Sequence, residues 1–486
     1  MNIKKSSLTR NYIYNLLNQI INVVVPILMT PYISRVLGAN GIGIFSYTNS
    51  IVSYFVLIAT LGLDVYGQRE IAYVGENIER RTAVFWKIIS VKAVSVFITI
   101  IFYLNFIELV GSNRIYLMIQ ILFIVEVLFN INWFFAGMQL FEVPVKRNAF
   151  IKVLSCIGVL LFVKSEEYLS RYIFIMSGMS LIGNISIWLY VPQYLGKICI
   201  ENIKKIRVLK ASLQLYAAYA AAQIYTIFDK TMIGLITKSA LENACYEQAQ
   251  KIIHTSLSLI TVLGTSLMPK MSEISSQKEE FERIMNKVLQ AVVLIAFPMS
   301  CGVVAVSDWL VPWFLGNEFK KAVLLLKICS ALILTIGISH IIVYGILIPL
   351  GQQNKFMIST VAGAISNIFL NYFLISKYGS IGAAVASIIA EIIVTLITLY
   401  YAQNYYNKRL LIKNIIEYGF RAICMGVIVY IAGYFFNYIN VPYIIITFFQ
   451  ITLGIGIYFL MLVQKQDEMI KTVFEMLGRI KKGKSK

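Results

Sequence analysis

Asn11-Tyr-Ile-Tyr-Asn-Leu-Leu-Asn-Gln-Ile-Ile-Asn-Val-Val-Val-Pro-Ile-Leu-Met-Thr-Pro-Tyr-Ile-Ser34 carries no charge and follows Lys4, Lys5 and Arg10. The hydrocarbon core of a bilayer takes about 20 mostly apolar residues in helical form, so this run is long enough to cross it. It exceeds the apolar core of a secretory signal peptide, about 7–15 residues, and no small-residue cleavage site follows. We read it as a first transmembrane helix. Asn11, Asn15, Asn18 and Asn22 recur at 4-3-4 spacing and therefore share one face of it. Pro26 and Pro31 each remove a backbone hydrogen bond, which predicts a bend.

The rest of the chain continues the pattern. It has 486 residues, is 58% hydrophobic and only 14% charged, with a mean hydropathy of +0.75. A soluble protein carries about 25% charged residues, so too few are present to cover a water-facing surface. That excludes a soluble enzyme, a disordered chain and a secreted disulfide scaffold. About fourteen apolar runs of helical length occur, at 11–34, 43–64, 83–104, 115–135, 149–164, 171–193, 211–235, 244–268, 286–308, 322–348, 356–375, 381–403, 416–436 and 443–463. The fold class expected is an all-α integral membrane protein of about 14 transmembrane helices. The six cysteines are scattered, without a CxxC pair or a loop framework, so neither zinc nor disulfides are indicated.

The 43 Lys and Arg against 24 Asp and Glu give a net charge of +19. In a soluble chain that excess would suggest nucleic acid; beside membrane spans it sets orientation. With a cytoplasmic N-terminus, about 29 basic residues fall on inner connections and the tail, and about eight outside. Both termini are then cytoplasmic. Trp86, Trp133, Trp188, Trp309 and Trp313 fall near span ends, where amphipathic rings favour the membrane interface.

Gly43-Ile-Phe45-Ser-Tyr-Thr48-Asn-Ser-Ile51 lines up with Ala244-Cys-Tyr246-Glu-Gln-Ala249-Gln-Lys-Ile252, an offset of about 201 residues. An offset of six spans preserves topology and implies two six-helix lobes related by a pseudo-two-fold axis along the membrane normal. The organisation expected is an N-terminal lobe over 1–194 and a basic cytoplasmic linker over 195–210. A C-terminal lobe over 211–404, two extra helices over 405–463 and a basic cytoplasmic tail over 464–486 complete it.

Two motif matches are decoys. Gly478-Arg-Ile-Lys-Lys-Gly483-Lys484-Ser485 has the P-loop pattern, but one residue follows it, so no helix N-terminus can hold phosphates there. Gly38-Ala-Asn-Gly41-Ile-Gly43 reads as a loop between helices, not a dinucleotide turn.

Intramembrane polar residues are more informative, because a charge at mid-span costs about 2.5–3.5 kcal/mol to insert. Span 7 holds Asp229 and Lys230; span 8 holds Glu247, Lys251 and His254, spaced 4-3 on one face. The repeat places Ser46, Ser50 and Ser53, with Asn49 beside them, on the matching part of span 2. These residues form the candidate lining of a polar cavity: Lys230, Lys251, Asp229, Glu247, His254, Asn18, Asn22, Asn49 and Ser50. The plainer reading is that they bond helices together. Lys92, Lys327, Glu126, Asp308, Glu391 and Arg421 are read as lone charges, several of them placed to snorkel to an interface. No catalytic residue, metal ligand or cofactor is indicated.

Several stretches resemble a known family. Pro26, Pro31-Tyr32-Ile-Ser-Arg35-Val-Leu-Gly38, Gly41-Ile-Gly43-Ile-Phe45-Ser-Tyr-Thr and Tyr66-Gly-Gln-Arg69-Glu70-Ile-Ala72 are similar to bacterial polysaccharide flippases. These form the polysaccharide-transport branch of the multidrug/oligosaccharidyl-lipid/polysaccharide (MOP) exporter superfamily. Phe228-Asp229-Lys230-Thr-Met-Ile-Gly234 looks like that branch's span 7 signature, and Asn367-Ile-Phe-Leu-Asn371 with Tyr378-Gly-Ser-Ile-Gly-Ala-Ala384 resembles its span 11–12 region.

The resemblance implies fourteen helices in two lobes around a partly cationic cavity, working by alternating access. It implies a cargo of undecaprenyl-pyrophosphate-linked oligosaccharide, flipped from the inner to the outer leaflet of the bacterial cytoplasmic membrane for capsule, O-antigen or other surface polysaccharide. Arg69 matches the family's inner-loop arginine and joins Pro26 and Pro31 as a structural or gating residue. The partners implied are the lipid-linked cargo, the bilayer and other polysaccharide-assembly membrane proteins, with no nucleic acid. A proton or sodium gradient is the candidate energy source. The alternative is a cation-coupled multidrug or small-molecule antiporter of the same superfamily, using Asp64 or Glu126. A glycosyltransferase or polymerase is disfavoured by the short outer loops, which hold no outward acid pair.

Overall fold

The computed structural model describes residues 8–110, 112–196, 212, 223, 226–466 and 469. Among the described residues the regular structure is helical, with no strand. The first helix, α1 (Leu8–Thr60), runs through both of the first two expected spans in 53 residues. At 1.5 Å per residue that is about 80 Å, more than twice a bilayer core. The residue that leaves helical geometry is Gly38 (φ 63°, ψ −179°), a backbone conformation closed to most side chains. Pro26 and Pro31 stay within the helix, and the Thr30 hydroxyl donates to the Pro26 carbonyl at 2.6 Å. The break therefore sits at Gly38. The stretch expected as a loop, Gly38 to Gly43, is otherwise helical.

A second break follows at Leu61 (φ 46°) and Gly62 (φ 71°), after which α2 (Leu63–Val74) begins. Next come α3 (Ile78–Val110), α4 (Arg114–Phe129), the short α5 (Asn132–Gly137), α6 (Glu142–Phe162) and α7 (Leu169–Ser186). A further helix, α8, spans 226–237, and α9 (Ala240–Glu273) follows it. Cα packing divides the chain into two compact units, Met1–Ala244 and Cys245–Lys486. Two apolar clusters hold the first unit. One gathers Phe85, Trp133, Phe134 and Ile187; the other gathers Val52, Tyr103, Ile107 and Ile124.

The second unit contains α10 (Lys278–Phe314), α11 (Lys320–Cys329), α12 (Ala331–Ile342), a π-helical turn at Val343–Leu347, α13 (Gln353–Tyr378), α14 (Ser380–Tyr401), α15 (Lys408–Tyr438) and α16 (Tyr443–Gln464). A tight turn at Gly379 (φ 61°) reverses α13 into α14. A Cβ on Gly382 would run into the Leu374 carbonyl, so the close approach of these helices requires glycine there. The Asn407 side chain caps α15 by accepting from the Leu410 amide.

Ten helices among the described residues are long and apolar enough to cross a membrane, or eleven if Asn317–Cys329 and Ala331–Leu347, bent by 44°, form one span. This is a multi-pass membrane protein. The count differs from fourteen for identifiable reasons. Spans 1 and 2 lie in one run, Val24–Val74. Span 5 sits on α6, whose first half carries Glu142, Lys146, Arg147 and Lys152. Much of span 7, and the linker 195–210 beyond Gly196, lie outside the described residues, as does the decoy at 478–485.

Other expectations are corrected. Lys92 does not snorkel: it is fully buried, with Nζ 2.6 Å from Asp64 Oδ1. Lys327 pairs with Asp308 at 2.7 Å, and Arg421 with Glu417 at 3.3 Å. Trp133 (3% exposed) and Trp309 (6% exposed) are packed inside the protein; Trp133 lies on Phe85 with centroids 5.7 Å apart.

Candidate functional site

In the first unit the part of α1 beyond Gly38 meets α8. The Ser50 hydroxyl donates to the Tyr47 carbonyl at 2.7 Å and accepts from the Thr231 hydroxyl at 2.9 Å. The Tyr54 hydroxyl lies 3.1 Å from the same Thr231 oxygen. Thr231 directly follows Asp229 and Lys230, so this contact locks the signature of span 7 onto span 2. Asp229 is buried, Lys230 is partly buried, and both make further contacts.

Small residues let the elements come this close. A Cβ on Gly43 would collide with the Ala240 carbonyl, and one on Gly234 with the Tyr47 ring. Between them opens a cavity of about 570 Å³ lined by Asn40, Tyr47, Ser112, Lys238, Ser239 and Asn243 among others. Asn243 is 1% exposed, and among the described residues neither its amide nitrogen nor its carbonyl oxygen has a hydrogen-bond partner. Asn40 is held by Glu166 Oε1 at 2.8 Å. Neutral hydrogen-bonding groups, one aromatic ring and one lysine suit a hydroxyl-rich solute.

In the second unit α9 is unbroken, so Glu247, Lys251 and His254 share a face. Glu247 and Lys251 are half-buried and His254 is exposed. The adjoining face carries a buried polar chain: Gln250 Nε2 donates to the Tyr246 hydroxyl at 2.9 Å, which lies 3.1 Å from Ser387 Oγ.

The remaining candidates stand apart from these clusters. Asn49 contributes its carbonyl to the Ser53 hydroxyl at 2.6 Å. Pro26 and Pro31 lie before the Gly38 break. Arg69 is exposed on α2, pairs with Glu70 at 3.4 Å and lies 5.7 Å from the Tyr66 ring centroid. Asn18 and Asn22 belong to α1, but their side chains lie outside the described residues.

Sequence reasoning missed Thr231, Tyr54, Tyr47 and Asn243. Tyr47, Ser50 and Tyr54 have 3-4 spacing, the helical signal that would have found them. It also missed a polar network in the first unit. Lys92 Nζ donates to Asp64 and, at 2.8 Å, to the carbonyl of Asn130, where α4 ends. Asn132 Nδ2 donates to Asn130 Oδ1 at 2.9 Å. Arg147 Nη2 reaches Asn132 Oδ1 at 2.8 Å, and its Nη1 reaches Asn184 Oδ1 at 3.3 Å. Arg147 is thus a bonded residue of α6. Five consecutive packing elements, α2 with α3, the α4–α5 break, α6 and α7, are tied through these bonds.

Two family models match the sequence: that described as "Polysaccharide biosynthesis protein" over residues 8–275, and that described as "Lipid II flippase MurJ" over residues 206–454. The chain belongs to the polysaccharide biosynthesis protein family. This is the polysaccharide-flippase branch of the MOP superfamily, whose members are transporters and not catalytic enzymes. A relative named "Putative O-antigen transporter", from Escherichia coli (strain K12), is 25% identical over 417 residues, covering 83% of this chain and 99% of the relative. The solved structure of the lipid II flippase MurJ in an inward closed conformation is similar with a TM-score of 0.73 at 18% identity, over 95% of this chain and 100% of that one. An inward-facing multidrug resistance MATE transporter of the MOP superfamily gives 0.59 at 12% identity, over 83% of this chain and 96% of that one. At these identities the structural likeness is one of fold.

Proposed function

We propose that this polysaccharide-family transporter flips an undecaprenyl-pyrophosphate-linked oligosaccharide from the inner to the outer leaflet of a bacterial cytoplasmic membrane by alternating access. Both termini are cytoplasmic in this reading, with lobes at 1–194 and 211–404 joined by the linker 195–210. The observation that carries it is the overlap of the two family matches, which together run from residue 8 to residue 454. The sugars meet the hydroxyl, amide and tyrosine groups around the 570 Å³ cavity. The diphosphate is assigned to the lysines of the two charged stretches, Lys230 beside Asp229 and Lys251 beside Glu247 and His254; Asn18, Asn22, Asn49 and Ser50 are the further polar candidates. Pro26, Pro31 and Arg69 serve as structural or gating positions. A proton or sodium gradient drives the cycle.

Deleting the gene tests this reading: lipid-linked oligosaccharide accumulates on the inner leaflet and surface polysaccharide is lost. Lys230→Ala and Lys251→Ala, expressed in the deletion strain, leave protein levels normal but fail to restore export. Normal export by both variants would remove these lysines from the site. The antiporter alternative needs an intramembrane carboxylate free to exchange cations. Asp64 is poorly suited, because Lys92 already pairs with it at 2.6 Å, which leaves Glu126 as the carboxylate that this alternative would use.

A further inference from the structure

A second cavity, of about 610 Å³, lies where the first part of α10, the first part of α15 and the end of α16 come together. Among the described residues its basic lining is Arg283, Lys287, Lys413, Arg421 and Lys465, and the carboxylate lining it is Glu417. Arg421 is 7% exposed, pairs with Glu417 and lies over the Tyr418 ring with 5.4 Å to the centroid. Tyr418 is fixed in turn by Gln290 Nε2, which donates to its hydroxyl at 2.8 Å. The cavity thus has a rigid, cationic floor and a rim of exposed cations, with Arg283 and Lys413 side chains 69% and 67% exposed. Arg283 pairs with Glu280 at 3.8 Å, and Arg421 and Lys413 share Glu417 at 3.3 and 4.0 Å, so the five lining cations still exceed these two carboxylates by three.

Position narrows what this charge is for. All three helices are apolar enough to cross a membrane, and the exposed lining cations Arg283, Lys287, Lys413 and Lys465 sit in the first three turns of α10 and α15 and just past the end of α16, with Arg421 deeper along α15. Beside the cavity, α15 turns Ile412, Ile416 and Phe420 outward at 57, 64 and 69% exposure. These recur every four residues and form one apolar stripe. A soluble phosphate has no use for that stripe; a lipid does, laying its acyl chains along it while its phosphate enters the cavity.

The geometry points to a resident-lipid site: this cavity binds the phosphate headgroup of an anionic phospholipid, distinct from the cavity assigned to cargo. Basic pockets between transmembrane helices at a membrane surface are suited to such headgroups. The bound lipid bridges α10, α15 and α16.

Photo-crosslinking of the full chain in phosphatidylcholine vesicles tests the site. The vesicles carry a trace of photoactivatable phosphatidylglycerol or photoactivatable phosphatidylcholine, with labelled peptides mapped by mass spectrometry. No lipid-linked sugar is present, so failure of the transport reading does not alter the outcome. Phosphatidylglycerol labels concentrate in residues 283–290 and 410–421, and phosphatidylcholine labels do not. Lys287→Gln and Lys413→Gln, exposed changes that leave folding intact, each lower the labelling about fivefold, the equivalent of about 1 kcal/mol per surface cation. Unlabelled phosphatidylglycerol competes the label away. Equal labelling by both lipids, or no effect of the two substitutions, overturns the proposal. Competition by undecaprenyl diphosphate or inorganic phosphate, but not by phosphatidylglycerol, also overturns it and reassigns the cavity to cargo or to free phosphate.

Discussion

Lys92 shows what a buried charge does in this protein. Its ammonium meets a carboxylate that begins one half-helix and a carbonyl that ends another, Asp64 of α2 and Asn130 after α4. A carbonyl at a helix end lacks its intrahelical partner, so the lysine satisfies a group that the break would otherwise orphan. Removing one partner of a buried pair costs about 3–5 kcal/mol; since Asp64 is 31% exposed, about 2–4 kcal/mol is expected for Lys92→Met. Thermal unfolding in detergent measures it, and adding Asp64→Asn should recover part of the loss. No recovery would show that the pair is not coupled. The pairing was not legible beforehand, because its partners lie 28 and 38 positions away and one of them is a backbone group exposed only by a helix break. Asp229 and Lys230 were legible because two adjacent charges in an apolar run are conspicuous in any span. Thr231 beside them was not, since its role depends on which helix it meets.

Helices are the scale at which the sequence was most readable, because the bilayer demands long apolar runs whatever their tertiary context. Where the runs break was less readable. Prolines predicted the bend of α1, yet its non-helical residue is Gly38: a helix can absorb proline within its ladder, whereas φ near +63° needs glycine. Close approach is the other constraint hidden from a single sequence. Gly43 sits against the Ala240 carbonyl, while an added Cβ at Gly178 in α7 would meet nothing within 4 Å. Gly43→Ala is therefore expected to lose about 1–3 kcal/mol through overpacking. Gly178→Ala is expected to gain about 0.5–1 kcal/mol from reduced chain entropy and better helix propensity. Melting temperatures of the two variants test this; equal effects of the two would contradict the packing of α1 on the start of α9.

At the level of the whole molecule, the net charge of +19 has more than one use. Basic residues counted as orientation signals include two with structural duties. Arg81 is 2% exposed and donates twice to the Tyr194 carbonyl, at 3.1 and 2.7 Å; Arg147 binds two asparagines. Neutralising Arg81 is thus expected to destabilise the protein without inverting it, whereas neutralising the exposed Lys278, Arg283 and Lys287 together is expected to weaken its orientation. Accessibility of single engineered cysteines to an impermeant thiol reagent in intact cells separates the two effects, in a background where the native cysteines are replaced by serine. The transport assignment itself is tested most directly by reconstitution. Vesicles containing the purified chain, with a fluorescent undecaprenyl-diphosphate-linked oligosaccharide on one leaflet, report its transfer as protection from an external quencher. The account predicts transfer that depends on the protein and is lost in Lys230→Ala and Lys251→Ala; absence of transfer by the native chain, under a proton or sodium gradient that drives uptake of a cationic dye, would contradict it.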